Sequence, residues 1–232
     1  MPRPAIAAES ILVAVASNFM QPFKELASAF DAQTGITVEV TYASSGVLYN
    51  QIIEGASYDL FLSADEDRPT FLFQAEVAEK PFIYARGRVI LWSSRKDFCR
   101  ADDWKQALSG GDVKRIAMAS PATSPYGVAA IAVLEQSSLR KALQNHMVYA
   151  QDVAQAFQYA SMGAADVCFC AVSCLATVQG RSGCFYEMDK AADVIQSACV
   201  LRRSKKREFA QRFAVFLLSP EADEIKKRYG YR

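Results

Sequence analysis

Three segments of this sequence place serine or asparagine directly after a short apolar run and before an amphipathic stretch. They are Ala16-Ser17-Asn18, Ala43-Ser44-Ser45-Gly46 and Ser63-Ala64-Asp65. A helix start leaves backbone N–H groups without partners and carries the positive end of the helix dipole, and both properties favour an anion. Ser17 and Ser45 therefore indicate a site for a small oxyanion, although serine also caps helices that bind no ligand.

A fourth segment, residues 120–127, lies between a predicted strand ending at Met118 and a predicted helix over 128–134. Proline before a helix start and glycine at a close approach suit a loop whose backbone N–H groups bind a ligand, and they equally suit an ordinary capped loop. None of the four segments contains lysine or arginine. Because an organic carboxylate normally requires an arginine clamp, the pattern favours a small inorganic anion.

The elements that would position these segments alternate along the chain. Short apolar runs predict strands over 11–16, 36–42, 60–62 and 88–93, with a return strand over 198–201. Amphipathic stretches between them predict helices, and this alternation is typical of an α/β fold built on largely parallel sheets. Open parallel sheets bind ligands at the carboxyl ends of their strands, which is where the serine segments occur.

Composition excludes several classes of function. The chain has 232 residues, of which 26 are Lys or Arg and 25 are Asp or Glu, so its overall charge does not draw it onto nucleic acid or an anionic membrane. His146 is the single histidine, which excludes multi-histidine metal sites and most histidine-dependent catalysis. A serine nucleophile needs a base, and His146 lies in a Lys- and Gln-rich stretch predicted to be at the surface or in a loop.

The six cysteines form no CxxC pair, so zinc-ribbon and thioredoxin sites are excluded. Cys168 and Cys170 lie in an apolar run and are predicted to be buried and unpaired. Cys174 and Cys184 flank a polar, glycine-containing stretch and would close a loop if the compartment is oxidising. Near the start, residues 5–9 fit the remnant of a signal-peptide cleavage site and fit a short cytosolic tail equally well.

Seven segments, taken in order along essentially the full length, resemble the periplasmic molybdate-binding proteins of ABC importers. The segments are Ala16-Ser17-Asn18-Phe19, Tyr42-Ala43-Ser44-Ser45-Gly46, Asp59-Leu60-Phe61-Leu62-Ser63-Ala64-Asp65-Glu66, Ser124-Pro125-Tyr126-Gly127, Gln151-Asp152-Val153, Gly163-Ala164-Ala165-Asp166-Val167 and Lys227-Arg228-Tyr229-Gly230-Tyr231. Each segment alone is weak evidence, but their order and strand–helix context together carry the resemblance.

The resemblance implies a two-lobed, type II periplasmic-binding-protein fold, each lobe a sheet flanked by helices, with a hinge between the lobes. The first lobe is expected to hold residues 10–87 and 199–232, and the second lobe residues 88–198. The implied function is capture of molybdate or tungstate and delivery to an inner-membrane ABC permease and its ATPase. The protein is expected to be a periplasmic monomer whose signal peptide is no longer present, with no enzymatic activity, no cofactor and no nucleic-acid partner.

The resemblance also implies the site. Ser17 and Ser45 would give hydroxyl and backbone N–H donors, with Asn18 and Ser44 beside them, and Tyr126 and Val153 would give backbone N–H donors from the second lobe. No metal ligand is implied, since a metal enters only as the centre of the oxyanion. Neutral donors bind an ionised acceptor strongly without burying a lysine.

One position departs from the family pattern. Many members carry a site tyrosine where this chain has Phe169, which donates no hydrogen bond. The chain is more similar to the subclass with asparagine in the first motif, in which the Asn18 amide would replace the lost hydroxyl. The alternatives are a binding protein for another oxyanion such as sulfate, a cytosolic sensor domain of the same fold and, more remotely, a serine-dependent enzyme.

Overall fold

The computed structural model describes residues 9–188 and 191–232, so residues 5–8 of the cleavage-like stretch lie outside the described part. The strands are β1 Ser10–Ala16, β2 Thr37–Ala43, β3 Leu60–Leu62, β4 Phe82–Gly87, β5 Val89–Ser93, β6 Ile116–Ala119, β7 Met147–Ala150, β8 Val167–Ala171, β9 Cys184–Glu187 and β10 Val194–Val200. The helices are α1 Met20–Thr34, α2 Ser45–Ile53, α3 Asp67–Gln74, α4 Trp104–Ser109, α5 Pro125–Gln136, α6 Arg140–Leu143, α7 Val153–Ser161, α8 Val178–Ser182, α9 Arg207–Phe216 and α10 Pro220–Arg228.

Within the described residues, the first lobe is a sheet in the order β2-β1-β3-β10-β4. β1 runs parallel to both β2 and β3, and β10 runs antiparallel between β3 and β4. Ala16 pairs with Ala43, and Val15 pairs with Leu62. The carboxyl ends of β1, β2 and β3 are therefore neighbours, and the three serine segments begin side by side at this edge of the sheet.

The second lobe is a sheet in the order β7-β6-β8-β5-β9, counted over the same described ranges. β6 runs parallel to β7 and β8, and Ala119 at the end of β6 pairs with Ala150 at the end of β7. α5 follows β6 and α7 follows β7, so both helices begin at the same edge of this sheet. The two-lobed α/β fold expected from the sequence is thereby confirmed.

The chain crosses between the lobes at Arg88, which separates β4 from β5. It returns earlier than predicted, because β10 starts at Val194, and Val194 already pairs with Gly87 of β4. The predicted return strand over 198–201 is therefore placed too late. The reason is Gln196, a fully buried polar residue that interrupts the apolar run from which a strand is predicted.

After β10 the chain stays with the first lobe. Phe213 of α9 and Ile225 of α10 share a buried core with Ile11 of β1 and Phe23 of α1. These helices cover one face of the first sheet, and Phe213 packs edge-on against both Phe23 and Phe30. Across the described ranges, none of the helices combines the length and apolarity needed to span a membrane.

The cysteine pattern was predicted only in part. Cys168 and Cys170 are buried free thiols, as predicted. The bridge between Cys174 and Cys184 that was considered for an oxidising compartment does not form, because Cys184 is bonded to Cys99. Cys99 lies in a short helix, Lys96–Arg100, that packs beside β9, so the bond ties this edge strand to the segment after β5. Cys174 instead lies with its sulfur 3.2 Å from that of Cys170.

Candidate functional site

Helix starts from the two lobes face each other in two pairs across the cleft between the sheets. Ser17 and Asn18 begin a short 3-10 turn that leads into α1, and they line a cavity of about 50 Å³ together with Val153 at the start of α7. In the second pair, the Gly46 N–H in α2 donates to the carbonyl of Thr123, in the loop that leads into α5, at 2.8 Å. The structure thus brings Ser17, Asn18 and Val153 to one cavity, whereas Ser44, Ser45 and Tyr126 are not among the residues that line it.

The backbone N–H rather than the side-chain amide of Asn18 is the group that a ligand can reach. Asn18 is 4% exposed, and its Nδ2 donates to Gln196 Oε1 at 2.8 Å and to the Tyr231 hydroxyl at 3.2 Å. Both amide protons are therefore used inside the protein. The expectation that this amide replaces the hydroxyl lost at position 169 is wrong, because two buried acceptors compete for it.

The second serine of the α2 segment has a directed hydroxyl. Ser45 Oγ accepts a hydrogen bond from the Ala64 N–H at 2.9 Å, which leaves its own proton to donate elsewhere. Ser44 Oγ is buried and has no hydrogen-bond partner among the described residues. An unpaired buried hydroxyl costs free energy, so Ser44 is also a candidate donor to a ligand. Ser63 Oγ, by contrast, donates to Asp65 Oδ1 at 3.1 Å and has a local structural role.

The second lobe contributes backbone donors at two helix starts. At α7 the Asp152 carboxylate accepts from the N–H groups of Ala154 and Gln155 at 2.9 and 3.0 Å, which leaves the Val153 N–H free in the first turn. At α5 the first residue is Pro125, which has no N–H, so Tyr126 provides the first donor of that helix. Val153 and Tyr126 are both buried, as donors that face a dehydrated ligand should be.

Position 169 does not border the cavity. Phe169 is 2% exposed and belongs to the core of the second lobe. The cavity is lined instead by Cys170 and Ala171 of the same strand, and by Cys174. Burial is the main cause of the raised pKa of the Cys170 thiol. The pKa of Cys174 is raised first by its hydrogen bond with the Cys170 thiol and second by burial. Both thiols are therefore neutral at physiological pH.

One basic side chain lies close to the site although none of the four segments contains lysine or arginine. A Cβ atom added to Gly46 would lie 3.1 Å from Arg68 Nη2, so the guanidinium sits beside the start of α2. Arg68 is ion-paired with Asp65, which offsets its charge. Sequence reasoning missed Arg68 because it comes from α3 and not from the loops.

A cluster of buried polar side chains lies behind the Ser17–Asn18 turn. Gln196 accepts from the Tyr84 hydroxyl at 2.9 Å, and its Nε2 lies 3.5 Å from the Tyr126 hydroxyl. Burial raises the pKa of Tyr84, Tyr126 and Tyr231, so these hydroxyls stay protonated. Tyr231 was part of a recognised segment, whereas nothing in the sequence pointed to Gln196 or to Ser173, which also lines the cavity.

Comparison with known proteins agrees with this geometry. The molybdate-binding protein ModA of Rhodobacter capsulatus is 36% identical over 230 residues, covering 98% of this chain and 90% of that protein. ModA of Azotobacter vinelandii is 35% identical over 232 residues, covering 98% of this chain and 91% of that protein. The solved structure of the Azotobacter vinelandii periplasmic molybdate-binding protein matches with a TM-score of 0.89 at 32% identity, covering 96% of this chain and 98% of that chain.

The resemblance found in seven short segments is thus confirmed over nearly the whole chain. A family model described as bacterial extracellular solute-binding protein matches residues 11–232. That range takes in both sheets and all four helix starts of the candidate site. The chain belongs to the bacterial extracellular solute-binding protein family.

Proposed function

We propose that this protein captures molybdate or tungstate in the cleft between its lobes and delivers the anion to an ABC permease. The observation that carries the proposal is that helix starts pair across the cleft, the Ser17–Asn18 turn with α7 around one cavity and α2 with the loop before α5, and that their serine hydroxyls and backbone N–H groups are uncharged. Helix starts of this kind favour an anion, and a tetrahedral one accepts donors from several directions. The names of the ModA relatives support molybdate as the ligand.

The proposed donor set has a hydroxyl part and a backbone part. The hydroxyl donors are Ser17, Ser44 and Ser45, and the backbone N–H donors are those of Asn18, Tyr126 and Val153, with N–H groups of Ser17 and Ser45 beside them. Hydrogen bonds to an ionised acceptor are about twice as strong as neutral ones, so such a set holds a dianion without a lysine or arginine contact. The ion pair of Arg68 with Asp65 adds little net charge.

We infer that the chain acts by binding and not by catalysis. The serines would need a base, and His146 lies before β7, at the opposite end of that strand from the start of α7. Its Nδ1 lies 2.9 Å from the Val113 carbonyl. The proposal includes a periplasmic location, a monomeric state, an inner-membrane permease with its ATPase as partners, and lobes made of residues 10–87 with 194–232 and of residues 88–193.

A thermal-shift panel tests the proposed ligand. Molybdate and tungstate at ~100 times their dissociation constants are expected to raise the free energy of unfolding by about 2.7 kcal/mol, because they bind only the folded state. Sulfate, phosphate and chromate at the same concentration serve as controls. Stabilisation by sulfate alone would support the alternative oxyanion, and no stabilisation by any of the five would contradict the anion site itself.

Molybdate affinity is expected to be flat between about pH 6 and 9. The donors are serine hydroxyls and backbone N–H groups, and the neighbouring Tyr126, Tyr231 and Cys170 have pKa values raised by burial, so they stay neutral in this window. Folding stability behaves differently from affinity: each buried tyrosine contributes to the free energy of unfolding in its neutral form below about pH 10, and this contribution is lost as the pH rises through its raised pKa. Calorimetric titrations at several pH values provide the measurement, and a tenfold change would mean that a titrating group contacts the anion.

A further inference from the structure

Ser173 gives the cavity a hydroxyl that the proposed donor set does not use. It lies in the second lobe, in the short helix Val172–Ala176 that follows β8, and is 4% exposed. Its Oγ donates to the backbone carbonyl of Asn18 in the first lobe at 2.8 Å. We propose that Ser173 is a latch that holds the two lobes together around the bound oxyanion. This role rests on the proposed function, and Ser173 acts in it as a positioning residue through Asn18.

The acceptor of the latch is held in place from the first-lobe side. The Tyr231 hydroxyl donates to the same Asn18 carbonyl at 2.6 Å and accepts from Asn18 Nδ2 at 3.2 Å. Arg232 exchanges backbone hydrogen bonds with Arg86 of β4, at 2.7 and 3.0 Å, which ties the chain end to the first sheet. The contacts of Tyr231 with Asn18 therefore lie within one lobe, whereas the bond from Ser173 crosses the cleft. The Tyr231 hydroxyl also lies 3.4 Å from Ser173 Oγ, so it borders the latch directly.

Gly87, next to the point where the chain crosses between the lobes, leaves room for these contacts. A Cβ atom on Gly87, the last residue of β4, would lie 2.2 Å from the Tyr126 hydroxyl oxygen and 2.6 Å from Gln196 Nε2. Because position 87 has no side chain, Tyr126 of the second lobe reaches the polar cluster of the first. The cross-lobe contacts thus lie directly behind the turn that presents Ser17 and Asn18 to the ligand.

A bond that crosses the cleft stabilises only the arrangement in which the lobes meet. When the lobes separate, the Asn18 carbonyl keeps its bond from Tyr231 and Ser173 is hydrated, so the latch adds nothing to the open state. Removing it should therefore speed the release of the anion, since lobe opening precedes release, and should leave the association rate unchanged. A role confined to folding would instead lower the stability of the ligand-free protein.

The test compares Ser173→Ala with Ser137→Ala in the full chain. Ser137 is a matched control, because its Oγ donates to the Val133 carbonyl at 2.9 Å within one segment of the second lobe. Stopped-flow and calorimetry with molybdate are expected to show a 3- to 10-fold weaker affinity for Ser173→Ala, carried by the dissociation rate. The Tm of the ligand-free protein is expected to match that of Ser137→Ala.

Equal dissociation rates for the two variants would overturn the latch. A loss of affinity in Ser173→Ala that comes from a slower association rate, or a lower Tm of its ligand-free form than that of Ser137→Ala, would also overturn it. Tyr231→Phe supplies a second measurement. Because Tyr231 and Ser173 share one acceptor and their hydroxyl oxygens lie 3.4 Å apart, Tyr231→Phe should speed release in the parent and add little in the Ser173→Ala background. Additive effects would contradict this coupling and with it the latch. If the parent itself does not bind molybdate, the proposed ligand fails and not the latch.

Discussion

Ser45→Ala is expected to lower the affinity for molybdate roughly 10- to 150-fold. The substitution removes one charge-assisted hydrogen bond and leaves the backbone N–H in place, and such bonds contribute roughly 1.5–3 kcal/mol. Ser45 Oγ accepts from the Ala64 N–H at 2.9 Å, so its proton is directed away from that contact. Isothermal titration calorimetry measures the affinity, and the Tm of the ligand-free variant reports the cost of the Ala64 N–H losing its acceptor.

Two neighbouring serines are the controls for Ser45. Ser63→Ala removes the bond from Ser63 Oγ to Asp65 and is expected to cost about 1 kcal/mol of stability with almost no change in affinity. Ser44→Ala breaks no hydrogen bond of the described structure, so any affinity that it loses reports a contact with the anion, and we expect a smaller loss than for Ser45. If Ser45→Ala folds and binds molybdate like the parent, Ser45 has only a structural role.

Gly46→Ala is expected to weaken molybdate binding while leaving the ligand-free protein as stable as the parent or more stable. A Cβ atom at position 46 would lie 2.9 Å from both the Cα and the carbonyl oxygen of Thr123, in the opposite lobe. Such overpacking costs about 1–3 kcal/mol, or roughly 5- to 150-fold in affinity, whenever the lobes meet. Alanine is also the better helix former by roughly 0.5–1 kcal/mol, which favours α2 itself.

Gly110→Ala is the control for Gly46. Gly110 ends α4 with a φ of −70°, and a Cβ atom there would make ordinary contacts of 3.7 and 3.8 Å. Calorimetry gives the affinities of both variants, and thermal unfolding without ligand gives their stabilities. A lower affinity of Gly46→Ala together with a higher stability of its ligand-free form would show that the substitution acts on lobe closure. An affinity equal to that of the parent would show that the approach of Gly46 to Thr123 is not needed for binding.

The elements around the candidate site could be predicted from local sequence. The apolar runs over 11–16, 36–42, 60–62 and 88–93 predicted four strands within one or two residues of those observed, because buried strands of a parallel sheet are rich in apolar residues. β4 (Phe82–Gly87) was not predicted. The serine segments were found because helix starts follow strand ends in α/β units and serine is common at both. The family resemblance then named the same segments in order, and it extends over both lobes.

Local pattern failed where a polar residue is buried. β10 was predicted to start four residues too late, because Gln196 and Ser197 interrupt its apolar run. Gln196 is fully buried, and it is tolerated there because Asn18 and Tyr84 satisfy its side chain with hydrogen bonds of 2.8 and 2.9 Å. A pattern of apolar residues contains no information about such partners, since they come from distant parts of the chain.

The sequence by itself determined the fold class, the positions of the helix starts and the neutral character of their donors, because these depend on residues close together in the chain. The tertiary structure decided which donors remain free. The Asn18 amide is consumed by Gln196, which is 178 residues away, and the Asn18 carbonyl is reached by Ser173, which is 155 residues away. Arg68 and the Cys99–Cys184 bond are placed in the same way by packing. Which groups form hydrogen bonds across the cleft depends on how the two sheets pack against each other, and a local pattern of residues contains no information about that packing.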